Sequence, residues 1–69
     1  MNIDELRSNL TYLIEKYVND TTEKTYLLNL SNRENVPAKG ILANMTPYIV
    51  GKITEDDSRL VGDIAFNFC

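Results

Sequence analysis

Sixty-nine residues leave room for one core, so residues 1–69 are read as a single domain. With 43% hydrophobic and 25% charged residues the chain is too apolar for disorder, yet no apolar run approaches the roughly 20 residues of a membrane-spanning helix. No histidine and a single cysteine exclude Ser-His-Asp and Cys-His catalysis, an internal disulfide and a Cys-rich zinc site, and the net charge of −3 argues against nonspecific nucleic-acid binding.

The N-terminus, MNIDELRSNL, places acids early and lacks a basic segment before an apolar one, so a cytoplasmic, reduced setting is expected. Without a secretory route the N-x-S/T sequons at Asn9, Asn19, Asn29 and Asn44 carry no role. No motif specific to a family occurs.

The first element is an amphipathic helix over about residues 3–19. Ile3, Leu6, Leu10, Leu13 and Tyr17 recur at spacings of three and four, and Ile14 and Val18 widen the stripe. Asn2 is placed to cap it, with Glu5 three residues on as in a capping box. The run Asn19-Asp20-Thr21-Thr22 is expected to end it, since none of these is a strong helix former.

The remainder alternates, which predicts strands at about 24–31, 39–45, 48–54 and 59–68. Tyr26, Leu28 and Leu30 share one face of the first, and Ile41, Ala43 and Met45 one face of the second, for which a short helical turn is the alternative. Pro47 marks a bend or an edge, because it donates nothing to a ladder. Glu55-Asp56-Asp57-Ser58 then serves as the loop of a C-terminal hairpin that sets Ile53 opposite Leu60, Gly51 opposite Gly62, Ile49 opposite Ile64 and Pro47 opposite Phe66. Lys52 and Asp63 become diagonal neighbours able to pair. The fold class expected is therefore α+β, one N-terminal helix packed on a three- or four-stranded antiparallel sheet. A helix 10–12 Å across covers about two or three strands, so a bare apolar sheet face predicts a homodimer or higher homo-oligomer.

Candidate sites follow from this arrangement. Gly51 opposite Gly62 leaves a notch, read either as close helix approach or as a slot for a planar ligand. Arg33 and Lys39, with Asn32 and Asn35, offer cationic and amide donors to a small anion, and Tyr26 and Tyr48 offer aromatic surface. Glu55, Asp56 and Asp57 lack the calcium-loop spacing and read as a solvated turn, so no metal and no cofactor is expected. Tyr12, opposite the apolar stripe, is the leading candidate for a partner contact, with Phe66 and Phe68 docked in the core or across an interface. Cys69 reads as a passive chain end.

Three function classes result. The first is a non-catalytic interaction protein that captures a protein partner stoichiometrically, a role common among small accessory or inhibitory proteins of phages and other mobile elements. The second is an oligomer sequestering an anionic, nucleotide-like ligand at a subunit interface. The third is a structural subunit. An enzyme is not expected, since Asp and Glu alone need raised pKa values in a cleft that so short a chain can barely form.

Overall fold

Three of the four helix ends that begin a segment in this chain carry their own cap. Asn2 Oδ1 accepts from the Glu5 backbone N–H at 2.9 Å, Asp20 Oδ1 from that of Glu23 at 2.8 Å, and Thr54 Oγ1 from that of Asp57 at 3.2 Å. In the computed structural model, which describes residues 1–68, these caps open α1 (Ile3–Tyr17), α2 (Thr21–Ser31) and α4 (Glu55–Asn67). The remaining helix, α3 (Ala38–Ile49), starts after Pro37, which makes no side-chain cap.

The expected sheet is thus overturned: among the described residues there is no strand, and the fold is all-helical. The segment 24–31 lies within α2, 39–45 within α3, and 59–68 is almost wholly α4. Residues 48–54 finish α3 and cross to α4. The physical reason is that short apolar runs satisfy two periods at once. Leu27, Leu30 and Ser31 are buried at the helical spacing i, i+3, i+4. Ala38, Ile41, Leu42 and Met45 follow the same rule in α3, and Asp57 and Ile64 stand two turns apart on α4. The stretch expected to end α1 instead contains the cap of α2, so the link between them is only Val18, Asn19 and Asp20. The expected hairpin loop is the first turn of α4, where three acids complement the helix dipole.

Two residues explain the α3–α4 connection. Pro47 sits in the last turns of α3, where its missing N–H costs one ladder bond rather than several, and both it and Ala43 four residues earlier are exposed. Gly51 follows the C-cap Val50 with φ +76°, the left-handed conformation that glycine adopts without a Cβ clash, and the Lys52 and Ile53 N–H groups then bond to the Ile49 carbonyl.

The core is one cluster of Leu6, Leu10, Leu13, Ile14, Val18, Leu27, Leu30, Ala38, Ile41, Leu42, Met45 and Ile64. Helices α1 and α3 each pack against all the others, whereas the backbones of α2 and α4 do not come together. The molecule is a slab of 28 × 26 × 16 Å. Its accessible surface of 4411 Å² matches the ~4400 Å² expected of a compact 7.9 kDa monomer. The bare sheet face that motivated self-association does not exist. No helix is long and apolar enough to cross a membrane among the described residues.

Candidate functional site

The densest polar constellation lies between α1 and α4. Asp57 is the third residue of α4 and is buried, with 7% of its side chain exposed. Its carboxylate turns back onto three side chains that α1 presents at i, i+4 and i+5. The Tyr12 hydroxyl donates to Oδ1 at 2.9 Å, Lys16 Nζ donates to Oδ2 at 2.7 Å, and the Tyr17 hydroxyl also donates to Oδ2. Lys16 donates a further bond to the Tyr12 oxygen at 3.1 Å and lies 5.4 Å from the centroids of both tyrosine rings. The Thr54 N–H donates to the Tyr17 oxygen at 3.3 Å, so the cap of α4 joins the same network.

This geometry fixes the charge states. The Lys16 hydrogen bond, then that of Tyr17, holds the Asp57 carboxyl far below the ordinary carboxylate range against the opposing effect of burial. The bond to Asp57, then that to Tyr12, holds the Lys16 ammonium above its usual value. The constellation ties α4 to α1 through one carboxylate that accepts from three side chains of α1.

The sequence places Tyr12 on the outer side of α1 and Asp57 in a solvated turn. The structure joins them, with Tyr12 keeping 45% of its surface exposed. The legible signal was the Thr54-x-x-Asp57 cap, which marks a helix start at the supposed hairpin loop.

The other candidates disperse. Asn32, Arg33, Asn35 and Lys39 remain close in sequence around the α2–α3 connection, all exposed. Asn32 Nδ2 donates to the Leu28 carbonyl at 3.0 Å, and the Arg33 carbonyl accepts from Arg7 Nη2 at 2.9 Å, which ties this connection to α1. Tyr26 lies midway along α2 and is exposed. Tyr48 is half-buried in α3, its phenol pKa raised chiefly by desolvation and further by the Asp20 and Glu23 carboxylates at the opposite end of α2 from Arg33. An anion beside Tyr48 would meet those two acids. Gly51 and Gly62 are not cross-strand partners, so the notch is absent: one lies in the α3–α4 connection, the other mid-way along α4. The Lys52–Asp63 pairing lapses with the same hairpin. The described residues form no pocket and no metal-ligating group of three or more acids, histidines or cysteines.

Phe66 and Phe68 part company. Phe68 packs partly buried against the core, while Phe66 is 84% exposed, the most exposed large apolar side chain among the described residues. An apolar strand face running to the chain end is thus replaced by a helix that turns the two rings to different sides. Cys69 lies outside the described residues. Compared with protein-family models, curated proteins and solved structures, the chain matches none of them.

Proposed function

We propose that this chain is a small non-catalytic module that captures a protein partner through the outer face of α4. The supporting observation is Phe66, whose ring is 84% exposed on a helix otherwise anchored by Asp57 and Ile64. Large aromatic side chains dominate the energetics of protein interfaces, and burying exposed apolar surface is favourable. The bonds from Tyr12, Lys16 and Tyr17 to Asp57 support the same reading, because they tie α4 to α1.

The test is site-directed photo-crosslinking in extracts of the organism that encodes the chain. A photoreactive phenylalanine analogue at position 66 is expected to give one saturable 1:1 adduct, and the same analogue at Thr22 on α2 to give none. No adduct at position 66, or equal adducts at both, would overturn the reading.

A further inference from the structure

The outward side of α4 has a definite chemical pattern. Glu55, Arg59, Gly62 and Phe66 recur at spacings of four, three and four, which aligns them along the side opposite Asp57 and Ile64, and all four are exposed. Asp56 and Asp63 run along one shoulder of that line. A Cβ at Gly62 would meet nothing within 4 Å, so bare backbone lies open one turn before the Phe66 ring. The face offers a projecting ring beside a stretch of helix that carries no side chain.

Its charge is one-sided. Three carboxylates stand against one guanidinium, a balance of −2, and that guanidinium is engaged within the helix: Arg59 Nη2 lies 2.8 Å from Glu55 Oε1 and Nη1 3.8 Å from Asp56 Oδ1. Asp63 has no such cation among the ion pairs of the described residues. A second copy of the chain is a poor occupant, because pairing two α4 faces would bring two −2 surfaces together in a molecule that already carries −3.

We propose that this face docks a cationic amphipathic helix of a protein partner. Apolar residues of that helix seat on Phe66 and over Gly62, and its lysines or arginines line up with Asp56 and Asp63. The inference rests on the capture reading above and names the chemistry of the partner. Helix-against-helix packing supplies the geometry, with contacts at three- and four-residue spacing, and the acidic shoulder supplies register and selectivity.

The test uses the full chain, isotope-labelled for NMR, and two synthetic helical peptides about five turns long. One carries leucines at three- and four-residue spacing among lysines; the other replaces every lysine with glutamate. The lysine peptide is expected to bind saturably at 1:1, shifting the amides of Arg59, Gly62, Asp63 and Phe66, with the glutamate peptide about tenfold weaker or more. Phe66→Ala and Asp63→Lys should each weaken the lysine peptide by about tenfold while leaving the circular dichroism unchanged, since both side chains are exposed. Shifts mapped to another face, equal binding of the two peptides, or unaltered affinity in both variants would overturn the inference. So would a dimer in light scattering that Phe66→Ala dissociates, because the occupant would then be a second copy. If the crosslinker at position 66 captures a partner that the lysine peptide does not displace, the cationic helix is wrong and the capture reading stands.

Discussion

Helix α1 holds its neighbours by two different means. Toward α2 and α3 it commits Leu6, Leu10, Leu13 and Ile14 to a core shared with Leu27, Leu30, Ile41 and Met45. Toward α4 it commits Tyr12, Lys16 and Tyr17 to one carboxylate, and α4 adds only Ile64 as a fully buried apolar side chain. Burial of apolar surface is strong and non-directional, so it determines that helices meet more than how they meet. A buried ion pair is a weak net stabiliser but a demanding one in geometry, since removing either partner strands the other. The difference teaches that the three-helix part is secured by area, whereas α4 joins the same core through Ile64, with Leu60 and Val61 partly buried, and adds a directional carboxylate clamp.

The largest expected effect tests the first half of that contrast. Leu27→Ala empties a fully buried site and should cost about 2–5 kcal/mol in chemical denaturation, a large share of the roughly 3–10 kcal/mol available to a chain of this length. Asp57→Asn should lower the thermal midpoint less, on the order of 10 °C, while most helical signal persists below the transition. A larger loss from Asp57→Asn than from Leu27→Ala would break the comparison.

The dependence on pH sharpens it. The folded-state pKa of Asp57 lies below its unfolded value of about 3.9, so its contribution is complete above that value and drains away as the pH falls further. Lys16 is displaced upward, so its contribution is complete below about pH 10.4 and is lost as the pH rises through the higher folded value. Between those limits the clamp should contribute evenly. Midpoints measured from pH 2 to 7 should fall more steeply in the parent than in Asp57→Asn, and parallel curves would remove the carboxylate from the account.

The smallest effect carries the opposite sign. At Gly62 the backbone is helical and a methyl group meets open space, so Gly62→Ala should stabilise by about 0.5–1 kcal/mol in the same denaturation assay. A loss of stability there would show that the outer side of α4 is more crowded than its geometry implies.

These contrasts also explain what was legible beforehand. Helix α1 was readable, at 3–19 against an observed Ile3–Tyr17, because a stripe across four turns has only one period that fits, and its Asn2–Glu5 cap formed as expected. Helices α2 to α4 were not, because in 11 to 13 residues a few leucines and isoleucines satisfy alternation as well as helical spacing. What separated the alternatives was end chemistry, with Asp20 and Thr54 both acting as starts where a helix stop and the last residue of a strand were expected. Tyr12 stood out correctly as a residue off the apolar stripe of α1, whereas Phe66 was expected on an apolar strand face, docked, and is instead exposed on α4. Asp57 did not stand out, because its partners lie forty or more residues earlier and only folding brings them together.

The clamp also makes the joint visible. The chain has no tryptophan and four tyrosines, and two of those four, Tyr12 and Tyr17, donate their phenolic protons to the same carboxylate. Their near-ultraviolet absorption and emission therefore report on whether α4 is seated, without a label and without an indole to mask the signal. A departure of the last helix would register as an optical event distinct from the melting of the rest.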